Sequence, residues 1–324
     1  MPRRSMATIG FHCAHEQHAP SELLRLARLA EASGFGAGMC SDHFHPWLPE
    51  QGQSGFSFAW LGAAMQATGL SFGTVCAPGD RYHPAIVAQA AATLGQMFPG
   101  RFWLSVASGE ALNEHVTGAP WPPKPARHAR PLECVEAIRA LWRGETVDHE
   151  GLVTVKDARL YTTPETPPLV VGAALTEETA RWAGGWADAL ITVAGEPDPL
   201  RKRIDAFREG GGEGKPLFLQ VALSYAETDD EALRAAHREW RQAGLDPGRL
   251  ADLPSPEAFA EAARAVTPEM IRDRLRVSSD PSRFVDWLAR DAELGFERIY
   301  LHNLGRNQDA FIETFAGRVL PQLR

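Results

Sequence analysis

Between Thr8 and Leu320 the chain repeatedly gives way from a short apolar run to a longer helical stretch, and this alternation constrains the fold most. The apolar runs lie at 8–12, 36–39, 70–76, 101–107, 169–172, 188–192, 216–223 and 298–301. Most are followed by a segment with helix start and stop signals, such as Pro20-Ser21-Glu22 opening and Gly34 closing the first. Eight strand-then-helix units in 324 residues predict a (β/α)₈ TIM barrel. A doubly wound sheet is the competitor, but its glycine fingerprint is missing after the first run, where Cys13-Ala14-His15-Glu16-Gln17-His18 stands instead. Two stretches interrupt the alternation. Residues 145–160 alternate like a β-hairpin, and residues 229–276, rich in Ala and Arg, read as a strand-free helical insertion after the seventh strand. No linker or repeat divides residues 1–324, so a single domain is expected.

Charge and composition narrow the partners. A net charge of -8 argues against nucleic acid or an anionic membrane, and no apolar run reaches membrane-spanning length. The basic start, Met1-Pro2-Arg3-Arg4-Ser5-Met6, lacks the apolar core of a signal peptide. Four widely spaced cysteines form no paired motif, so a reduced, cytoplasmic protein is expected.

In a barrel of this kind the chemistry sits where strands end. The second strand breaks abruptly into Ser41-Asp42-His43-Phe44-His45-Pro46-Trp47, and Pro46 ends regular structure there. The first strand runs into His12, His15 and Glu16, the fourth into Ser108-Gly109-Glu110-Ala111-Leu112-Asn113, and the eighth into His302-Asn303. Barrel closure brings these ends to one rim. An imidazole and a partly dry carboxyl group drawn from these clusters suit a base and an acid at neutral pH. The bland alternative makes Asp42 and Glu110 caps and leaves the histidines solvated. Metal chemistry would also use His12, His43, His302 and Asp42, but a paired His-x-His at the first strand is absent, so no metal is expected. After the fifth strand, Val171-Gly172-Ala173-Ala174 leads into Thr176 and Thr179 at a helix start, where free N–H groups and hydroxyls suit a phosphate. The same threonines also suit an ordinary helix cap, and Glu177 and Glu178 would oppose an anion.

Ser41-Asp42-His43-Phe44-x-Pro46-Trp47, Arg81-Tyr82-x-Pro84 and Ser108-Gly109-Glu110-Ala111-Leu112-Asn113-Glu114 together resemble the bacterial luciferase-like superfamily, nearest to its F420-dependent glucose-6-phosphate dehydrogenases. The resemblance spans nearly the whole chain. It implies a barrel binding FMN or coenzyme F420, a homodimer, and hydride transfer to or from a small organic substrate. His43 would stand beside the transferred hydrogen, Trp47 would steady the reacting alcohol or its base, and Glu110 would supply a proton. Cofactor contacts would come from Asp42, Val75, Cys76, Ser108, Asn113, Ala174, Thr176 and Thr179, with a non-prolyl cis peptide at Val75–Cys76 behind the ring. Two departures matter. Glu196 and Glu261 align with the lysines that hold a sugar phosphate, which points to a non-phosphorylated substrate. The Gly-Gly usual after the fifth strand is also missing; Thr176 and Thr179 tilt the expectation slightly to FMN, as in a branch found in bacteria not known to make F420. The alternatives are an FMN monooxygenase using reduced flavin and oxygen, served by a flavin reductase, and a non-catalytic flavin-binding barrel.

Overall fold

The computed structural model describes residues 7–323. The start read as lacking a leader, residues 1–6, lies outside them. Eleven strands are described: β1 (Thr8–Cys13), β2 (Ala37–Ser41), β3 (Ser71–Cys76), β4 (Phe102–Val106), β5 (Val147–Glu150), β6 (Thr154–Ala158), β7 (Leu169–Ala173), β8 (Ala189–Val193), β9 (Leu217–Tyr225), β10 (Arg276–Ser278) and β11 (Arg298–Asn303). Eight of them close in parallel in the order β1-β2-β3-β4-β7-β8-β9-β11, and β11 pairs back onto β1. This is the (β/α)₈ barrel. β5 and β6 form a separate antiparallel pair, as the alternation at 145–160 predicts.

The inner and outer faces of the strands follow period two. Ala37, Met39, Trp103, Val171, Ala189, Ile191, Phe218 and Tyr300 fill the barrel interior, while residues such as Phe11, Leu104, Leu190 and Leu301 pack outward against the helices. Two interior glycines make room for the large rings. A Cβ on Gly73 would lie 1.9 Å from the Trp103 indole, and one on Gly10 would lie 2.5 Å from the Tyr300 ring. The Trp103 Nε1–H donates to the Tyr300 hydroxyl at 3.1 Å, so the floor beneath the barrel mouth is fixed by both packing and a hydrogen bond.

The helices between consecutive barrel strands are α1 (Pro20–Ala32), α2 (Ser57–Ala67), α3 (Pro84–Met97), a short α4 (Ala111–Glu114), α5 (Lys124–Trp142), α6 (Glu177–Gly184) and α7 (Pro197–Phe207). Helix α5 begins well before Pro131. Pro123 and Pro125 frame its first turn, whereas Pro131, which looks like an entry signal, sits inside it. After β9 come α8 (Asp229–Trp240), α9 (Pro247–Leu250), α10 (Pro256–Ala262) and α11 (Pro268–Arg272), then α12 (Pro281–Glu293) and, after β11, α13 (Gln308–Arg318). The stretch read as strand-free ends on β10, which pairs with the far end of β9 outside the barrel. With only Val277 apolar in its three residues, β10 carried no pattern to read. Among the described residues no helix is long and apolar enough to cross a membrane.

One expectation is corrected here. No cis peptide occurs among the described residues, so Val75–Cys76 is trans. Both residues continue the parallel ladder, opposite Ser105 and Val106, which requires the extended trans chain. A non-prolyl cis bond would cost about 2.5–4 kcal/mol against that pairing.

Candidate active site

β2 ends at Ser41, and the next residue anchors the loop. Asp42 is buried, and both its carboxylate oxygens are engaged. Oδ1 accepts the Ser57 hydroxyl at 2.7 Å and the Tyr82 hydroxyl at 3.0 Å; Oδ2 accepts Arg81 Nη2 at 3.0 Å. The Arg81 backbone N–H donates to Glu114 Oε2 at 2.8 Å, and burial pushes the Glu114 carboxyl up to about 7, against the pull of Arg81. This buried cluster ties together the loops after β2, β3 and β4. It explains the Arg81-Tyr82-x-Pro84 motif: two side chains hold Asp42, and Pro84 opens α3 behind His83, whose ring caps Ala85 N–H at 3.2 Å.

His43 projects from this anchored loop. Its Nδ1 lies 3.3 Å from the His45 carbonyl and 3.2 Å from Asn113 Nδ2. The Asn113 side-chain oxygen accepts the Phe44 N–H at 2.9 Å, which fixes the amide beside the imidazole. His43 Nε2 stands 3.5 Å from Glu16 Oε1, longer than a hydrogen bond. Glu16 is held from the other side, where Ser41 Oγ donates to Oε2 at 2.5 Å and itself accepts the His15 N–H at 3.1 Å. Burial alone would raise the Glu16 carboxyl; the His43 ring and the Ser41 hydroxyl outweigh it and hold it below the ordinary range. Glu16 was visible in the sequence only as a member of the cluster after the first strand. Its partner Ser41 is 25 residues away, and nothing local pairs them.

Trp47 packs beside His43, its ring 4.9 Å from the imidazole and edge-on to Phe259 of the insertion at 5.2 Å. Glu110 begins α4, yet its side chain caps no backbone N–H, so the capping alternative does not account for it. Burial raises its carboxyl, with the His43 ring working against the shift. An acid that keeps its proton to higher pH therefore sits beside an imidazole and an ionised carboxylate. The structure thus brings His43, Trp47, Glu110 and Asn113 together.

The remaining predicted residues distribute differently. Val75 is half-buried against the interior layer, whereas Cys76 packs outward in the core, with its thiol pushed well up by burial. Ser108 is exposed on the loop after β4, and Ala174 is buried with its N–H donating to the Ile191 carbonyl at 3.0 Å. Thr176 caps α6: its Oγ1 accepts the Thr179 N–H at 3.2 Å and donates to Thr179 Oγ1 at 3.0 Å. Glu196 stands exposed at the N-cap position of α7 without a capping hydrogen bond, and Glu261 is an exposed residue of α10 paired with Arg264.

Inside the mouth, His12 and His302 lie on the interior faces of β1 and β11 with ring centroids 4.4 Å apart. Burial pushes His302 down to about 4 and His12 well below its ordinary value, helped for His12 by the neighbouring imidazoles, so both are neutral at pH 7. His12 Nδ1, His302 Nδ1 and Ser105 Oγ are buried with no hydrogen-bond partner. Buried polar atoms are normally satisfied. Three such atoms around an otherwise packed barrel neck fit a site completed by a polar ring system.

Relatives match nearly the whole chain. The family model for luciferase-like monooxygenases matches residues 2–298. An F420-dependent glucose-6-phosphate dehydrogenase of Microbacterium testaceum (strain StLB037) is 36% identical over 327 residues, 97% of each chain. Its counterpart in Mycolicibacterium smegmatis (strain ATCC 700084 / mc(2)155) is 36% identical over 329 residues, 98% of each. A solved F420-dependent secondary alcohol dehydrogenase, in complex with an F420-acetone adduct, is 32% identical with a TM-score of 0.91, covering 99% of this chain and 100% of that one. The tilt toward FMN finds no support among these relatives, and its structural basis weakens too: the two threonine hydroxyls are spent on each other and on the helix cap. The chain belongs to the luciferase-like monooxygenase family and is one of its flavin- or F420-dependent oxidoreductases.

Proposed function

We propose that the protein is an F420-dependent dehydrogenase of a small, non-phosphorylated alcohol. The observation that carries the reading is the cluster of His43, Glu16, Trp47 and Glu110 at one strand-end rim. When bound, the deazaflavin supplies the ring carbon that accepts or returns the hydride. The chain's own residues handle the proton. With Nδ1–H donating to the His45 carbonyl, His43 Nε2 is bare, has no hydrogen bond in the structure and takes the proton of the alcohol oxygen. Glu16, held ionised by Ser41, then stabilises the resulting imidazolium across the 3.5 Å gap. Glu110, whose carboxyl is raised by burial, supplies a proton on the cofactor side. Trp47 covers His43 and excludes water from its ring face. His12, Ser105 and His302 would meet the cofactor or substrate within the neck, and the N-terminus of α6, with Thr176 and Thr179, is the region for a cofactor phosphate.

The relatives named for glucose 6-phosphate and for a secondary alcohol divide on the substrate. Glu196 and Glu261, exposed carboxylates that the resemblance sets where glucose-6-phosphate dehydrogenases carry lysines, favour the uncharged alcohol. The test is anaerobic reduction of F420, followed by loss of its visible absorbance, with a panel of secondary alcohols beside glucose 6-phosphate. Turnover of the alcohols is expected. Turnover of glucose 6-phosphate alone would overturn the substrate assignment, and turnover only with reduced FMN and oxygen would overturn the reaction.

A further inference from the structure

Gln17 links the insertion to the barrel mouth, and hydrogen-bond valence fixes which way the link runs. The side chain is 1% exposed. Its Nε2 lies 3.0 Å from the Leu304 carbonyl and 3.3 Å from Glu239 Oε2, and neither oxygen can donate. The NH₂ group must therefore face them, and Oε1 must face His302 Nε2 at 2.8 Å. An amide oxygen only accepts, so His302 Nε2 carries the proton and Nδ1 keeps a bare lone pair. That Nδ1 is the buried, partnerless atom beside the His12 ring.

Glu239 is not a passive neighbour. It sits at the end of α8, 1% exposed. Its Oε1 accepts Arg306 Nε and Arg238 Nε, each at 3.0 Å. Arg306 Nη1 also donates to the Gln17 carbonyl at 3.1 Å, and Gln51 Nε2 donates to the Glu239 carbonyl at 2.9 Å. One buried residue, through its carboxylate and its backbone carbonyl, thus joins the loops after β1, β2 and β11 to the insertion. The next residue, Trp240, meets His302 edge-on at 4.9 Å and Trp47 at 6.2 Å.

We propose that Gln17, oriented by Glu239 and the Leu304 carbonyl, is a positioning residue that holds His302 as its Nε2–H tautomer and so presents a hydrogen-bond acceptor, not a donor, inside the barrel neck. A group with an O–H or N–H can donate to that Nδ1, and one with only a carbonyl or carboxylate cannot. The effect on turnover rests on the proposed alcohol chemistry; the tautomer does not.

The test is a long-range ¹⁵N–¹H spectrum of the full chain labelled at histidine, near pH 7.5, with His302→Asn identifying the His302 signals. The parent should show one His302 tautomer, protonated at Nε2. Gln17→Met keeps length and burial but loses the acceptor, and should lower the Nε2–H to Nδ1–H ratio by at least about fivefold, as loss of a hydrogen bond of ordinary net strength implies. Glu239→Gln, which frees the Gln17 amide to turn, should move the ratio the same way by less, because the Leu304 carbonyl remains. Addition of a secondary alcohol alone and of F420 alone then shows which ligand shifts the Nδ1 resonance. A parent protonated at Nδ1, or an unchanged ratio in Gln17→Met, would overturn the proposal. If Gln17→Met fails to fold, the parent spectrum and Glu239→Gln decide. A parent that oxidises no alcohol would remove the proposed function while leaving the tautomer result intact.

Discussion

Replacing Glu16 with Gln removes one charge and little else. The amide fills the same volume and can still accept the Ser41 hydroxyl that reaches Oε2 at 2.5 Å. What it cannot do is stabilise a positive imidazole whose Nε2 lies 3.5 Å away. At an effective dielectric of about 20, two unit charges at that separation attract by about 5 kcal/mol. The Glu16 side chain is only 2% exposed and that of His43 13% exposed, so screening is modest, but the amide dipole and entering water would recover part of the loss. A net cost of about 2–3 kcal/mol in the step that charges His43 is expected, roughly a 30- to 150-fold slower reaction. The assay is single-turnover reduction of bound F420 by an alcohol, repeated with the alcohol deuterated at the hydride-bearing carbon to show that the chemical step is being read. The loss should fall on the rate constant, with alcohol affinity little changed. A variant within threefold of the parent, or a loss confined to affinity, would refute Glu16 as the counter-charge of His43.

Further predictions follow from the same geometry. Because the folded pKa of His302 is about 4 against an ordinary 6.5, the unfolded chain binds more protons between those values, and stability falls as the pH drops through that window. His302→Asn should therefore remove about 2 kcal/mol of the stability lost between pH 7 and pH 5, measured by urea unfolding; an unchanged slope would place the acid sensitivity elsewhere. Gly73→Ala, whose Cβ would meet the Trp103 indole at 1.9 Å, should destabilise by about 3 kcal/mol or more, whereas a fully stable variant would mean the indole has room to move. Thr176→Glu should weaken cofactor binding at least tenfold in a fluorescence titration by setting a charge against an anion at the α6 N-terminus, and unchanged affinity would move the phosphate to another loop.

The barrel was legible because its signal is local: each inner strand is a short apolar run, and each helix carries its own stop or start. The site was legible in part for the same reason. His43, Trp47, Glu110 and Asn113 each follow directly on a strand end, and closure of the barrel does the rest. What stayed hidden depends on contacts between distant segments. Asp42 reads as a ligand-facing acid in the sequence, yet Ser57, Arg81 and Tyr82 occupy its carboxylate. Gln17 and Glu239 are 222 residues apart, and no periodicity couples them. Thr176 and Thr179 read equally in the sequence as a phosphate site or a cap; the structure forms the cap, and the phosphate role is what Thr176→Glu tests.

The central claim is that His43 and Glu110 move protons and do not merely hold the cofactor. His43→Asn and Glu110→Gln keep polarity and shape at each position while removing the base and the acid. F420 binding, measured by titration, and single-turnover reduction by an alcohol should be measured on the same preparations. The account predicts cofactor affinity within about threefold of the parent for both variants and a chemical step slower by roughly two to four powers of ten. Parent-like turnover in both, or loss of cofactor binding in both, would contradict it.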